Sequence, residues 1–363
     1  MDFEQIALRH IRLELRSPFE TSFGAIKERN LLIFEAKKDG KWFYGETSPL
    51  QKPLYNHETT FTAEEIISRY VIDAVKEASS IEEYHEKISS IKGHRLAKAS
   101  GDQLLHHFRS VKQGKPISEL VGGTQSHAEC GISIGLTSDD EIVEKVQKFV
   151  DKGYQRVKLK IKPGNDIEYV KTVREKFPEL EIMADANSAY TLDDIDRLRK
   201  IDQYNLSMIE QPLGDRDIVN HGTLNEKIET SICLDESIHS AEDVKRAAKI
   251  NAADIINLKP QRVSGLHESR KINKVCKENS MEMWIGGLVE SGIGQSSAVI
   301  ASSLSEVSYP ADIASSQKYF YHDIIQPELE VTNGRVKVPE EPGFVGEVDR
   351  ERLEEKTVDR QEF

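Results

Sequence analysis

Short apolar segments alternate with amphipathic segments through the second half of the chain, beginning near residue 130. Eight apolar segments occur, and they read GISIGL, RVKLKI, EIMADA, MIEQPL, ICLDES, IINLKP, MEMWIGG and SYPADI. Stretches with helical periodicity, such as DDEIVEKVQKFVDKG and AEDVKRAAKINA, lie between them. Strands that alternate with helices in this way are typical of a parallel sheet with helical crossover connections.

One polar residue lies near the end of each of five central segments. These residues are Lys160, Asp185, Glu210, Asp235 and Lys259, and the intervals between them are 25, 25, 25 and 24 residues. Continuing the interval in both directions reaches further apolar segments, which favours an eight-stranded TIM barrel. An open doubly wound sheet is the alternative, although the sequence lacks the glycine-rich phosphate-binding turn expected after its first strand.

The sequence before about residue 125 has a different pattern. It begins with β-rich text, IALRHIRLEL and LLIFEAKKDGKWFYGE, in which Asp39-Gly40 marks a hairpin turn. Helical text follows, and Thr59, Thr60 or Thr62 is a candidate N-cap for its first helix. This pattern predicts an α+β domain that starts with a meander and ends in helices.

The chain therefore divides into three predicted parts. We expect an α+β capping domain over residues 1–125, a barrel domain over 126–322, and a C-terminal segment, 323–363, that returns to the capping domain. In the last part, Asn333-Gly334 predicts a short hairpin, and the final residues, DRERLEEKTVDRQEF, read as a solvated charged end.

Composition narrows the class of protein. The 363 residues carry a formal net charge of −13, which argues against nucleic acid and anionic membranes as main partners. The three cysteines are too few and too widely spaced for a disulfide framework or a zinc site, and no apolar stretch is long enough to span a bilayer. We expect a soluble, cytoplasmic protein that acts on a small molecule.

Three of the five spaced residues are carboxylates, at strand ends where barrel enzymes place their active sites. One such acid alone would read as a solvated strand end or a helix cap. Three on successive strands would repel one another unless a divalent cation lay between Asp185, Glu210 and Asp235. Oxygen ligands without histidine or cysteine favour Mg²⁺, with Mn²⁺ as a substitute.

The lysines suggest acid–base chemistry. Lys158 and Lys160 are two residues apart and so share one face of their strand. Two neighbouring ammonium groups are expected to lower each other's pKa, which suits a general base. Lys259 lies four strands further on, across the barrel, so that two lysines would flank one substrate. The alternative is a register shifted by one residue, with Lys158 and Lys160 on the outer surface.

Metal and lysines together suit removal of the weakly acidic proton beside a carboxylate, because the product is a dianionic enediolate. The segments VKLKIKPG, MADANSAYTL, IEQPL, ICLDESI, INLKPQRVSGL and GGLVESGIG resemble the muconate-lactonising subgroup of the enolase superfamily over nearly the whole chain. Within it, the likeness is greatest to the branch of o-succinylbenzoate synthases and N-succinylamino acid racemases. The resemblance implies a (β/α)7β variant of the TIM barrel beneath an α+β capping domain.

The resemblance also implies a role for each residue. Lys160 would abstract the α-proton, Lys158 would tune Lys160, and Lys259 would stabilise the enediolate or, in a racemase, act as the second acid and base. The implied metal ligands are Asp185, Glu210 and Asp235, and the implied substrate-binding residues are Ser133, Asn187, Gly287 and Leu288. The backbone N–H groups of GGLVES would face a substrate carboxylate.

Other implied positions are less direct. Glu236 would point to the opposite face from Asp235 and form a structural ion pair. Two covering loops of the capping domain would shield the substrate from water through the apolar side chains Phe19, Phe23, Leu54 and Tyr55. The sequence departs from the residues usual in the family at Gln261, Ser264 and Gln295, which bears on substrate preference and on a possible homo-oligomer.

The expected activity is that of an o-succinylbenzoate synthase acting on a small carboxylate substrate, with N-succinylamino acid racemase as the alternative, or both in one enzyme. A dipeptide epimerase is disfavoured because PADIAS lacks an Asp-x-Asp pair. From other classes, a Schiff-base aldolase would use one lysine without metal, and a non-catalytic binding barrel would retain the fold alone.

Overall fold

The first three strands form a meander at the N-terminal end of the chain. The computed structural model describes residues 1–21, 24–135 and 139–363. The strands are β1 (Gln5–Thr21), β2 (Gly24–Lys38) and β3 (Lys41–Thr47). Asp39 and Gly40 join β2 to β3 with φ of 52° and 73°, as a two-residue hairpin turn requires, so the predicted turn is confirmed.

Helices complete the capping domain. They are α1 (Thr60–Ile66), a π-helical turn (Ile67–Val71), α2 (Ile72–Glu77), α3 (Ile81–Ile88), α4 (Arg95–Gln113) and α5 (Ile117–Val121). Of the three candidate caps, Thr59 is the N-cap of α1, and its side chain accepts from the backbone N–H of Thr62. The Thr62 hydroxyl accepts in return from the backbone N–H of Thr59, which forms a capping box.

Helix α4 lies directly on β3 because Gly45 has no side chain. A Cβ built on Gly45 would lie 1.9 Å from the carbonyl oxygen of Ser100 in α4. An apolar core lies between the sheet and the helices, and this core includes Leu32, Phe34 and Leu104. Burial of such side chains is the main source of stability for this domain.

The second half of the chain is a parallel barrel. After β4 (His127–Glu129), its strands are β5 (Ile132–Ile134), β6 (Arg156–Lys160), β7 (Glu181–Asp185), β8 (Ile209–Glu210), β9 (Ile232–Leu234), β10 (Ile255–Leu258) and β11 (Glu282–Ile285). From β5 to β11 each strand pairs in parallel with the next, as the alternating pattern predicts.

Helices connect the barrel strands and cover their outer faces. They are α6 (Asp139–Val150), α7 (Ile167–Lys176), α8 (Ile195–Asp202) after a 3₁₀ turn (Leu192–Asp194), α9 (Ile218–Asn225), α10 (Ala241–Lys249), α11 (Leu266–Glu278) and α12 (Gly292–Ala301). Val157 and Leu159 are fully buried in the core of the barrel, which leaves Lys158 and Lys160 on the other face of β6.

The eighth apolar segment closes the barrel without forming a regular strand. It makes one parallel bridge to β11, between Met283 and Val307, and another between Cys130 and Ala311. Backbone hydrogen bonds from Gly131 to the Ala311 carbonyl and from Asp312 to the Ile285 carbonyl reinforce the closure. The fold is therefore the expected (β/α)7β variant of the TIM barrel with an α+β capping domain, and not an open sheet.

A sulfur-rich and aromatic cluster fills the barrel interior beneath the site. It consists of Met183, Met208, Cys233, Ile255 and Trp284, all fully buried. The Trp284 indole N–H donates to the sulfur of Cys233 over 3.2 Å. The ammonium of Lys158 lies 4.8 Å from the centre of the Trp284 ring, within the range of a cation–π interaction. The apolar cluster therefore contacts the charged residues of the site from below.

The C-terminal segment returns to both parts of the chain. Its elements are α13 (Ser316–Tyr319), β12 (Ile325–Gln326), β13 (Arg335–Lys337), β14 (Glu347–Val348), α14 (Arg350–Lys356) and β15 (Thr357–Glu362). Asn333 and Gly334 form the predicted turn, with φ of 51° and 71°. Thr332 and Arg335 pair antiparallel across this turn, so the predicted short hairpin is confirmed, and β13 pairs in addition with β4 of the barrel domain.

The charged C-terminal end is largely exposed to solvent, as expected, but it also forms regular secondary structure. Residues of β15 pair antiparallel with β1 and form the edge of the capping sheet, in the order β15-β1-β2-β3. Charged side chains are common on edge strands because they discourage pairing with other chains. One of these charges, Arg360, lies 3.2 Å from the buried carboxylate of Glu35.

In the part of the chain that the structure describes, no helix combines the length and apolarity needed to cross a membrane. The three cysteines, Cys130, Cys233 and Cys276, are buried and unpaired. Neither a disulfide nor a thiol-based surface site contributes to this fold.

Candidate active site

A cavity of about 350 Å³ lies between the capping domain and the C-terminal ends of the barrel strands. Nine of the ten predicted site residues line it, and these are Ser133, Lys158, Lys160, Asp185, Asn187, Asp235, Lys259, Gly287 and Leu288. The tenth, Glu210, is fully buried directly behind them. The strand-end positions thus bring together the residues that the spacing singled out.

Lys160 ends β6 and makes two polar contacts at the cavity wall. Its ammonium lies 2.6 Å from a carboxylate oxygen of Asp185 and 2.5 Å from the amide oxygen of Asn187. The parallel register of β6 and β7 places Lys160 directly beside Asp185. The Lys160 side chain retains 26% exposure, so its amine can reach a molecule in the cavity.

Lys158 lies deeper and is surrounded by acids. Its ammonium is 2.9 Å from Asp312, 3.2 Å from Glu210 and 3.3 Å from Asp185. Burial alone would lower its pKa, but these three carboxylates outweigh burial and raise the pKa of Lys158 above its usual value. The predicted lowering of its pKa by a neighbouring lysine is therefore wrong for Lys158.

Asp312 is a site residue that the sequence pattern did not single out. Its carboxylate accepts from the Ser133 hydroxyl at 2.9 Å and from the Arg156 guanidinium at 3.3 Å. Burial would raise its pKa, but Lys158 and Arg156 lower it well below the usual range. The 26-residue interval that leads to PADI reaches Ala311, the residue before Asp312, and that signal could have drawn attention to this acid.

Lys259 directly follows β10, on the far side of the barrel from Lys160. Its ammonium lies 2.7 Å from Asp235 and 3.3 Å from the Tyr55 hydroxyl, which comes from the capping domain. Burial would lower the pKa of Lys259, but Tyr55 and the acids around it raise that pKa instead. The second carboxylate oxygen of Asp235 accepts from the buried guanidinium of Arg262.

The three predicted metal ligands are buried carboxylates whose charges are balanced by neighbouring cations. Burial, followed by repulsion from Asp185, raises the pKa of Glu210. Burial would raise the pKa of Asp185 too, but Lys160 and Lys158 lower it. Glu210 also accepts from the Asn257 amide at 2.6 Å.

The chemistry of this donor set fits a hard divalent cation, because it offers three desolvated carboxylates and little competition from softer ligands. As the side chains lie, ammonium groups occupy the positions around these carboxylates. Among the described residues, no three His, Cys, Asp or Glu side chains form a group arranged to hold a metal ion. The assignment of Asp185, Glu210 and Asp235 as ligands therefore stays a prediction.

Glu236 differs from its predicted placement. It lines the cavity, and its carboxylate accepts from the Asn187 amide at 3.1 Å instead of forming an ion pair. Burial raises the pKa of Glu236, and its second carboxylate oxygen is buried without a hydrogen-bond partner in the structure. The alternation rule failed because β9 ends at Leu234, so Glu236 belongs to the following loop.

The loop after β11 lies at the cavity, but at least one of its backbone N–H groups already has a hydrogen-bond acceptor within the loop. The backbone N–H of Leu288 donates to the Glu290 carboxylate at 2.7 Å, so it is already engaged within the loop. Val289 has φ of 58°, which is strained for a β-branched residue. The buried guanidinium of Arg29 donates to the Val289 carbonyl at 3.1 Å and holds the loop against the capping domain.

The capping loops lie where the resemblance places them. Phe19, Leu54 and Tyr55 line the cavity, and Leu54 is 49% exposed at its mouth. Phe23, the fourth predicted shielding residue, lies outside the described residues. An apolar cover of this kind excludes water and strengthens the electrostatic interactions beneath it.

Buried polar groups dock the capping domain on the barrel. The Glu46 carboxylate, at the end of β3, accepts from the backbone N–H of Gly294 at 3.0 Å and from the Ser291 hydroxyl at the start of α12. Gln261, one of the departures from the family's usual residues, accepts from the backbone N–H of Ser48 at 2.8 Å. Burial raises the pKa of Glu46 to about 7.

A second buried carboxylate docks α4. Asp102 accepts from the backbone N–H of Leu266 at 2.6 Å, and so caps a barrel helix from the capping domain. His85 and His106 lie 2.7 and 3.2 Å from the same carboxylate. These contacts fix the position of the cover over the strand ends, and hence the shape of the cavity.

The arrangement suits proton transfer next to an anionic group. The cavity has one lysine at the end of β6 and one at the end of β10, with buried acids between and behind them. Two ammonium groups in a partly enclosed, low-dielectric site would attract a carboxylate and stabilise negative charge that develops on it.

Comparison with known proteins places this geometry in context. Residues 141–352 match the family model described as Enolase C-terminal domain-like. An o-succinylbenzoate synthase of Bacillus subtilis is 39% identical over 354 residues, which cover 97% of this chain and 95% of that protein. An N-succinylamino acid racemase of an Amycolatopsis species is 34% identical, over 95% of this chain and 94% of that protein.

The structural likeness extends over the same length. The crystal structure of an enolase-superfamily member from Listeria innocua superposes with a TM-score of 0.96 at 37% identity, and covers 100% of this chain and 99% of that chain. Enolase-superfamily proteins generally use a divalent metal, typically Mg²⁺.

Proposed function

The chain belongs to the enolase superfamily, and from this membership we propose that it is an o-succinylbenzoate synthase. It would convert 2-succinyl-6-hydroxy-2,4-cyclohexadiene-1-carboxylate to 2-succinylbenzoate and water, as a carbon–oxygen lyase of menaquinone biosynthesis. The observation that carries the choice of synthase is the 39% identity to the Bacillus subtilis synthase over 97% of this chain.

The site supports a proton-transfer route to this product. Lys160 removes the proton beside the substrate carboxylate, and the positive charge of Lys259 stabilises the resulting enediolate. The ring hydroxyl then leaves, and Lys160 returns its proton to it to form water. Lys158, held by three carboxylates, keeps a positive charge beside Lys160.

Mg²⁺ is the cofactor that this proposal requires, with Mn²⁺ as a substitute. Asp185, Glu210 and Asp235 would hold it, and when bound it would supply charge that neutralises the reacting carboxylate. We also infer that the enzyme acts in the cytoplasm, since its three cysteines are buried, free thiols.

N-succinylamino acid racemase is the second candidate, and the likeness to the Amycolatopsis racemase favours it. The same two lysines would then act on opposite faces of one carbon. Lys160 would remove a proton from one face, and Lys259 would deliver a proton to the other.

Purified protein with Mg²⁺ tests both functions. We expect conversion of the cyclohexadiene acid, loss of activity in EDTA, and a fall of roughly a thousandfold in kcat for Lys160→Ala. Lys171→Ala, at an exposed lysine on α7, is the matched control and should behave as the wild type. Racemisation without dehydration would replace the synthase by the racemase, and neither activity would overturn both proposals.

A further inference from the structure

A second cavity adjoins the reaction cavity, beside the loops that follow β8 and β9. Its volume is about 530 Å³, and it shares four lining residues with the first cavity. The shared residues are Tyr55, Asn56, Asp215 and Glu236. A ligand that fills the first cavity can therefore extend into the second.

Three arginines lie on the wall of this second cavity, together with two acids, Asp215 and Glu236. The arginines are Arg95, Arg216 and Arg262. Arg262 is already engaged, because its guanidinium donates to Asp235, to the Tyr55 hydroxyl and to the Ile238 carbonyl. The other two arginines are Arg95, at the start of α4, and Arg216, in the loop after β8.

Arg95 and Arg216 have no counter-ion in the structure. Within the described ranges, neither guanidinium makes a hydrogen bond or ion pair; Arg95 is partly exposed, and Arg216 is exposed to solvent at the cavity mouth. Arginines beside a cavity are usually paired when acids are within reach, because the guanidinium fork matches a carboxylate. Two unpaired guanidinium groups on one cavity wall offer hydrogen-bond donors and positive charge to an anion.

The acids on the same wall form no ion pair with these arginines. One oxygen of Glu236 accepts from Asn187 while the other has no partner, and Asp215 is exposed to solvent. The N-terminus of α4 does not offer free donors to an anion either. Its first backbone N–H groups, those of Leu96 and Ala97, already donate to the Glu58 carboxylate. Recognition of an anion here depends on the arginine side chains.

We propose that the second cavity binds the carboxylate at the far end of the substrate, with Arg95 and Arg216 as donors. This inference rests on the proposed function, since both candidate substrates carry a succinyl group with its own carboxylate. The reacting carboxylate occupies the cavity of Lys160 and Lys259, so the succinyl end extends past Tyr55 into the adjoining space. The two arginines thus select acids over neutral acyl groups.

Calorimetry with two ligands isolates this contact. The ligands are o-succinylbenzoate and its analogue with a carboxamide in place of the succinyl carboxylate, each titrated into protein in Mg²⁺ buffer. The wild type should bind the acid about tenfold more tightly than the amide, as charged hydrogen bonds allow. The double variant Arg95→Gln/Arg216→Gln should lose this preference and bind the amide as the wild type does.

Arg270→Gln is the charge-matched control, because Arg270 is exposed on α11 and lines neither cavity. It should retain the full preference for the acid. Equal binding of both ligands by the wild type, equal weakening of both in the double variant, or no binding of either would overturn the subsite. If the acid is preferred through the two arginines but no dehydration occurs, the subsite stands and the proposed function fails.

Discussion

The carboxylate of Asp312 lies 2.9 Å from the ammonium of Lys158, and it joins the segment that closes the barrel to the strand that carries Lys160. Asp312 also accepts from Ser133 and Arg156, so it is bonded to residues of β5 and β6. Asp312, in the segment that closes the barrel, thereby holds the Lys158 ammonium in position beside Lys160.

Asp312→Asn should disturb both stability and turnover. Removal of one partner from a buried ion pair costs about 3 kcal/mol, and the Lys158 ammonium would then compete more strongly for Asp185 and Glu210. We expect kcat to fall roughly tenfold to hundredfold, which urea unfolding and steady-state kinetics would measure. Glu340→Gln, in an exposed pair with Lys337, is the control, and an Asp312→Asn enzyme that matches it would contradict this role.

Asp102→Asn should loosen the capping domain from the barrel. The fully buried carboxylate is bonded by Leu266, His85 and His106, and the substitution should lower the free energy of unfolding by about 3 to 5 kcal/mol. Burial would lower the pKa of His106, but Asp102 raises it, so that pKa should fall in the variant. Denaturant unfolding and NMR titration measure the two effects. An unchanged His106 titration, with Glu86→Gln as the surface control, would argue against this contact.

Gly45→Ala should separate α4 from β3. The added Cβ would lie 1.9 Å from the Ser100 carbonyl oxygen, and overpacking of this kind should cost about 3 kcal/mol. Gly214→Ala offers a matched control, since a Cβ there meets no atom within 4 Å. Thermal unfolding of the two variants measures the difference, and equal melting temperatures would rule out the close approach.

Stability should fall in mild acid because of His107. Burial lowers the pKa of His107 from its usual 6.5 to about 3, so the unfolded chain gains a proton that the folded chain does not. Between about pH 8 and pH 5 this group alone should remove roughly 1 to 2 kcal/mol of stability.

The substitution His107→Asn isolates this dependence. Asparagine retains an acceptor for the backbone N–H of Tyr44, which now donates to His107 Nδ1 at 3.2 Å, but it does not titrate. Urea unfolding at each pH should show a smaller loss on acidification than in the wild type. The exposed His127→Asn variant should keep the wild-type slope, and an identical slope in all three proteins would disprove the assignment.

The regular interval of polar residues predicted much of the barrel and of the site. It succeeded for Lys160, Asp185 and Lys259 because parallel strands of equal spacing place their carboxyl ends at one edge. It predicted the closing segment as well, although only isolated bridges form there. The turn at Asp39-Gly40 was predictable because few other residues accept positive φ at both positions.

Other features depend on tertiary contacts that no local pattern specifies. The raised pKa of Lys158 depends on Asp312, which is 154 residues away in the chain. The direction in which the Glu236 side chain points depends on where β9 ends. The alternation of apolar and polar residues does not determine the end of a strand well. The charged sequence of β15 has no pattern that predicts a strand, and its strand conformation depends on its pairing with β1.

The central claim is that Lys160 and Lys259 face one reacting carbon from opposite sides, and hydrogen exchange at that carbon tests it directly. Protein with Mg²⁺ would be incubated in deuterated water with N-succinyl-L-phenylalanine and, separately, with the D enantiomer, and the loss of the α-proton signal would be followed by NMR. The wild type should exchange both enantiomers, Lys160→Ala only one, and Lys259→Ala only the other. If both variants exchange the same enantiomer, or if either exchanges both at the wild-type rate, the two-sided arrangement is wrong.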